Sequence, residues 1–385
     1  MPQDGLRPDD DAQHAGAAGT FQGIAGRLAG VGFRFGSDAA DLAAYARQHL
    51  GPLMDDDTAA PAVTTSLRWH EGQPPTGRGQ CHGMEQVDRD IYTDGCQLHW
   101  FRVDDLRDLF LRFQWAGERL TVDGQFYFRL GNSAVTDRLR RVRRWAQRGA
   151  LRRRRFTTLL HYLVYYPCWW WLEHVADYHP IHAAAVAVDG DATLLVAGAS
   201  GVGKSTLALA LAASPQARLL SDSFVLHRGA DVLAVPEPVP LDPDSLRWLG
   251  DAAQGLQPVP GDFGRRRRGF HVARERTTRR GRAVVLVFPR RSAEPYVRPL
   301  TPAAAHQRLS AADLIINDLR RYWAFAAVLE HLVPDGLVAR REAHLAQLAA
   351  AVQPYEIGVV ASVSRETLVG QLRALLGDAA RAHPA

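Results

Sequence analysis

Lys204 is the one lysine among the 46 Lys and Arg side chains of this sequence. It lies in GASGVGKST, where Gly198, Gly203, Lys204 and Ser205 have the G-x-x-x-x-G-K-S spacing of a phosphate-binding loop. Backbone amides in such a loop form a concave nest for anionic oxygens, and the helix that follows adds partial positive charge at its N-terminus. Gly201 and Gly203 carry no Cβ, so the chain can approach a phosphate closely. A compact ammonium suits the β- and γ-phosphates as a point charge, a position a planar guanidinium fills poorly, which accounts for one lysine in an arginine-rich chain. The nucleotide-holding set is therefore Gly198, Ala199, Ser200, Gly201, Val202, Gly203, Lys204, Ser205 and Thr206. Ser205 is placed to bind Mg²⁺ through its hydroxyl, and Thr206 is the weaker candidate. Asp222 follows Lys204 by 18 residues, at the end of an apolar run, where a carboxylate could reach the metal or an attacking group. His182 opens the strand 16 residues before Gly198, and its spacing leaves a structural and a functional role equally open.

Those side chains need a strand, a loop and a helix in that order. The run at 193–197 reads as a buried strand, and TLALALAA, stopped by Pro215, reads as a helix. HAAAVAV pairs back on ATLLVAG across Asp189, Gly190 and Asp191 as a tight hairpin. Further strands are expected at 282–291 and 355–360. A last helix carries Leu368, Leu372 and Leu375 on one face and stops at Gly377. The earlier part of the chain reads as α+β. VGFRF alternates like a strand, and Ser37 is the expected N-cap of a helix with Leu42, Tyr45, Ala46 and Leu50 on its apolar face, ended by Gly51 and Pro52. Asp94–Gly95 and Asp123–Gly124 each sit between β-prone runs and predict hairpin turns, hence an antiparallel sheet with at least one helix. A helix is expected from about 157 to 178, with its aromatic residues in the core. The expected division is a flexible leader at 1–20, an α+β domain at 21–137, an arginine-rich connector and aromatic helix at 138–178, and an α/β phosphate-loop domain at 179–385.

With 46% hydrophobic and 23% charged residues, the 385-residue chain has the composition of a soluble globular protein of about two domains. Three cysteines argue for a reducing compartment without a disulfide framework, and the apolar-aromatic run at 162–172 is too short to span a bilayer. A cytoplasmic protein is expected. The net charge of +5 is concentrated: residues 138–155 hold ten arginines and no acid, and 265–268 hold four more. Such blocks are solvated faces or contacts to acidic peptide, nucleic acid or anionic lipid. Cys81, His82, Cys96 and His99 could bind zinc, but their spacing fits no common module and ordinary packing is favoured.

His182 with V-x-V, the turn, GxSGxGKST and the apolar run into Asp222 together resemble the catalytic domain of the HPr kinase/phosphorylase superfamily. The chain is most similar there to the HPr-kinase-related kinases, including an FRFGS-type strand and helix near the start. The resemblance is specific over about 180–228 and looser over VPEPVPLDP and RRGRAVVLVFPRR. It implies phosphoryl transfer from ATP to a hydroxyl, commonly a serine of a protein or peptide. In that reading residues 198–206 hold the triphosphate, Ser205 and Asp222 hold Mg²⁺, Asp222 takes the acceptor proton, and His182 stands beside the phosphates. The family carries two consecutive acids where this chain has Asp222 and Ser223, so reverse phosphorolysis is not expected. Its R-G-L-G-I signature has its nearest counterpart in RRRRGFHV, with Arg268 and Gly269 matched. Acceptors to be considered are a protein, a peptide or a small hydroxyl compound. Nucleic acid is disfavoured, and a homo-oligomer is compatible with the sequence. The competing reading is a nucleotide-dependent switch or assembly ATPase with an N-terminal partner-binding domain. An arginine-driven nucleic-acid binder gated by nucleotide ranks third.

Overall fold

The structure, a computed structural model, describes residues 21–55, 60–74, 81, 83–103, 106–130, 136–137, 140, 148–199, 201–261, 263–264, 266–360 and 363–382. Two large sheets of mixed α/β architecture flank one aromatic helix. The first sheet has eight strands in the order Gln22–Leu28, Val31–Ser37, Val63–Glu71, Arg119–Phe128, Leu109–Ala116, Gln97–Trp100, Ile91–Thr93 and Glu85–Asp88. Alternation sets its inner face: Val31, Phe33 and Phe35 are buried while Arg34 points out. The expected antiparallel sheet is in fact mixed, because Val63–Glu71 runs parallel to both of its neighbours.

Two local expectations fail for visible reasons. Asp123 and Gly124 form no turn. They lie inside Arg119–Phe128, and the reversal falls instead between Ala116 and Arg119. A Cβ at Gly124 would sit 2.7 Å from Leu67 Cδ1, so glycine serves close packing there, and Asp123 pairs with Arg112 at 2.6 Å. Ser37 is not the helix cap either. Helix Ala40–Leu50 starts after Ala39, and the Ser37 hydroxyl donates to Leu67 O while accepting from Ala39 N. Asp94–Gly95 does turn the chain, between Ile91–Thr93 and Gln97–Trp100.

The aromatic helix begins earlier than expected, running as Arg148–Leu160, a π-helical turn at His161–Tyr165, and Tyr166–Ala176. Pro167 has no N–H to give the carbonyl of Leu163, and the wider turn just before it absorbs that missing bond. Tyr162, Tyr165, Tyr166, Trp169 and Trp170 are fully buried. One side of the helix meets the first sheet, Trp170 against Trp115 at 5.1 Å and Tyr162 against Trp100 at 6.3 Å. The other side meets Phe224 and Tyr322, both touched by Trp169, at 5.1 and 5.3 Å. Arg152 fastens the helix by ion pairs to Asp41 and Glu71 and by stacking on Trp69.

The second sheet has the order Ala217–Ser221, Ala183–Val188, Ala192–Ala197, Arg280–Arg291, Asp231–Ala234, Val225–Arg228, His179–Ile181, with Gln353–Val359 also on Arg280–Arg291 and Tyr296–Pro299 beyond it. Ala192–Ala197, Arg280–Arg291 and Gln353–Val359 pair in parallel, and the apolar runs Leu194–Ala197 and Val285–Phe288 are buried on both faces because both are covered. Alternation along Ala192–Ala197 divides the core in two. Leu194 and Val196 face helices Lys204–Ala212 and Arg365–Ala382, whereas Leu195 and Ala197 face Pro302–Ile315 and Leu337–Ala351. The last helix runs on through Gly377 to Ala382 rather than stopping there, with Leu368, Leu372 and Leu375 buried as the spacing predicts. A small three-stranded sheet, Val239–Leu241, Arg268–His271 and Gln257–Val259, lies beside the loop helix. No helix among the described residues is long and apolar enough to cross a membrane.

Candidate functional site

Strand Ala192–Ala197 leads into the glycine loop, and helix Lys204–Ala212 leaves it. Gly198, Gly201 and Gly203 adopt φ of 129°, 82° and 94°. Nothing lies within 4 Å of a Cβ built at Gly201 or Gly203, so backbone conformation, not crowding, requires glycine at both. Gly203 is the N-cap and offers no side chain to the first helical amides, which leaves them for another acceptor. Lys204 Nζ donates to Gly198 O at 2.9 Å and Ala199 O at 3.1 Å, tying the loop across itself. Ser200 lies outside the described residues.

A cavity of about 130 Å³ brings together His182, Lys204, Ser205, Thr206 and Asp222 with Ser223, Asp242, Ser245 and Arg267. Asp222 sits one residue beyond strand Ala217–Ser221 and is 3% exposed. Its Oδ2 accepts from Ser223 Oγ at 3.1 Å, and its Oδ1 has no hydrogen-bond partner. Burial pushes this carboxyl from 3.8 up to about 6, against the pull of the nearby Ser205 and Ser223 hydroxyls. Burial likewise lowers Lys204 to about 8, with Asp222 opposing and Arg267 adding to the fall. His182 precedes strand Ala183–Val188 rather than opening it. Burial, assisted by Lys204, lowers its imidazole to about 3, so the ring is neutral near pH 7. Its Nδ1 has no hydrogen-bond partner, and its face packs 5.2 Å from Phe224.

Three residues of this wall, Asp242, Ser245 and Arg267, were not read from the sequence. Asp242 caps helix Pro243–Leu249 by accepting from Ser245 N at 2.7 Å. The D-P pair signals a cap but not its place beside the loop. Thr206 Oγ1 donates to Ser245 Oγ at 3.3 Å, which commits the threonine hydroxyl to the wall. Arg267, not Arg268, lines the cavity; Arg268 begins strand Arg268–His271 and is exposed. Gly269 is required by Phe263, whose ring would lie 2.2 Å from a Cβ there. Arg291 Nη2 adds a donor to Gly201 O at 3.5 Å.

The other sequence candidates lie apart from this cavity. Cys81 Sγ is 3.8 Å from His99 Nδ1, Cys96 is exposed, and His82 falls outside the described residues. Of the long arginine block, Arg148 and Arg152 pair with Glu71, while 138–139 and 141–147 fall outside the described residues. A larger concavity, about 830 Å³, opens on the first sheet among Arg68, His99, Arg112 and Asp123. Arg112 and Asp123 pair with each other there at 2.6 Å.

The arrangement at the loop can bind an anionic group through amides, one ammonium and guanidinium donors, and it sets beside that group one carboxyl able to take a proton near neutral pH. No sequence-family model and no curated protein matches the chain. Among solved structures it has a distant likeness to the HPr(Ser) kinase/phosphatase from Coxiella burnetii, with 10% identity, 52% of this chain and 95% of that one covered, and a TM-score of 0.24, a score at which the likeness carries no argument about function.

Proposed function

We propose that the protein is an ATP- and Mg²⁺-dependent phosphotransferase that moves the γ-phosphoryl group to a hydroxyl, with a serine of a protein or peptide as the leading acceptor. The observation that supports this reading is the meeting, in one cavity, of the loop lysine and a buried carboxyl held near pH 6. The residues present fit the ligands: three glycines at positive φ shape the loop, and Asp222 Oδ1 is buried without a partner. Ser205 and Asp222 would hold Mg²⁺, which when bound would neutralise phosphate charge.

The chain's own groups do the rest. Loop amides and Lys204 Nζ bind the phosphate oxygens, the ammonium exchanging the Gly198 and Ala199 carbonyls for them. Asp222 orients the acceptor hydroxyl and takes its proton as the new O–P bond forms and the bond to the leaving ADP oxygen breaks. Arg267 lines the same cavity and would stabilise the oxygens on which charge grows. His182, being neutral, contributes a hydrogen bond rather than a charge. Ser223 beside Asp222 leaves one acid at this strand end, which favours transfer in the forward direction.

The test is label transfer from γ-labelled ATP with purified protein and Mg²⁺ against proteins, peptides and small hydroxyl compounds. Slow hydrolysis alone, and labelled product once an acceptor is present, is the expected result. Brisk hydrolysis without any labelled product would overturn the proposal in favour of a nucleotide-dependent switch ATPase.

A further inference from the structure

A second cluster lies at the edge strand of the second sheet, where His179 is the register partner of His227. Asp177 closes the aromatic helix at φ 58°, and helix Leu337–Ala351 brings His344 against the same place. Asp177 Oδ1 is 3.2 Å from His179 Nε2 and 3.7 Å from His344 Nε2. The two imidazoles stack with centroids 3.4 Å apart. Behind them, buried Glu173 Oε1 lies 2.7 Å from His179 Nδ1, and Glu173 also accepts from the Tyr322 hydroxyl.

His179 thus has a carboxylate at each ring nitrogen. A neutral imidazole owns one N–H. If Nδ1 donates it to Glu173, the Nε2 lone pair points at Asp177 Oδ1, where His344 Nε2 also converges. The ligand atoms of Asp177, His179 and His344 lie within 4.8 Å of one another. A single metal cation satisfies all three donors.

We propose that Asp177, His179 and His344 form a site for a divalent transition-metal ion, with zinc the best match to two imidazoles and one carboxylate. Glu173 would fix the tautomer of His179 from behind, as outer carboxylates do at metal-bound histidines. His227 is fully buried, neither of its nitrogens makes a hydrogen bond, and its ring is 6.2 Å from that of His179. Asp177, half exposed, gives the ion a way in. The site shares no residue with the glycine-loop cavity, so it stands independently of the proposed phosphotransfer.

The experiment uses the full chain, stripped with a chelator and titrated with Zn²⁺ by calorimetry and with Co²⁺ by visible absorption. One bound equivalent is expected, with tetrahedral Co²⁺ bands and a raised thermal midpoint. Glu173→Gln should weaken binding about 10- to 100-fold, and His344→Gln should weaken it more. Asp177→Asn is the variant that keeps the fold, since asparagine accepts the left-handed backbone at an exposed position. Cys96→Ser should leave binding unchanged. Absence of binding, or equal affinity in wild type, Asp177→Asn and His344→Gln, would overturn the site.

Discussion

Replacing Asp222 with asparagine should raise stability while it removes activity. The folded protein holds the Asp222 proton up to about pH 6, whereas the unfolded chain releases it near 3.8. Between those values the unfolded state binds fewer protons, so stability falls as pH rises through the window. The gap between the two values corresponds to about 3 kcal/mol above pH 7, roughly half of that at pH 5 and little below pH 4. Asparagine has nearly the same shape and carries no charge to bury. Lys204 loses a neighbouring carboxylate in the exchange, so about 3 kcal/mol is an upper bound on the gain. Urea unfolding followed by tryptophan fluorescence, at pH 5 and pH 7.5, measures the effect. The advantage of Asp222→Asn over wild type should widen by about 1 kcal/mol between those pH values. A constant or reversed difference would refute the claim that burial dominates at Asp222 and would make the carboxylate a net partner of Lys204. In the transfer assay the same variant should lose roughly 10²-fold or more in kcat while retaining nucleotide binding. Equal loss of both would give Asp222 a purely metal-holding role.

Lys204→Arg should cut turnover by about 10²-fold or more, because the planar fork cannot take the ammonium's place, and normal label transfer would remove the loop from the mechanism. Gly203→Ala forces a side chain into φ 94° and should cost roughly 1–2 kcal/mol in urea unfolding while weakening binding of a fluorescent nucleotide; no change in either measurement would refute the conformational argument. Arg267→Gln should lower kcat, whereas replacing exposed Arg266 and Arg268 should raise KM only for an acidic acceptor and reduce its salt dependence, with KM for ATP unchanged. Unaltered acceptor kinetics at low salt would assign those two side chains to solvent.

The loop was legible because its chemistry is local: glycines at positive φ, lysine and serine all fall within a few residues of one another. Asp222 and His182 were legible because short strands place them at fixed offsets from the loop. Arg267 was not, since four adjacent arginines look alike in sequence and only the fold shows which of the described ones lines the cavity. Asp242 and Ser245 were missed for a related reason, as their place beside Thr206 depends on how helix Pro243–Leu249 packs on the loop helix. At Asp123–Gly124 the local turn preference was outweighed by Leu67 pressing on the glycine. Asp177, His179 and His344 meet only through tertiary packing, and no spacing in the sequence joins them.

The aromatic helix fixes an order of events during synthesis. Trp170 needs Trp115, which has already left the ribosome, but Trp169 needs Phe224 and Tyr322, which have not. Until residue 322 emerges, the inner side of the helix keeps large indole and phenol surfaces in water, the kind of exposure that recruits chaperones or drives aggregation. A chain truncated between the two sheets should therefore be insoluble, and the intact protein should melt both sheets together, because neither can leave without stripping the other's aromatic cover.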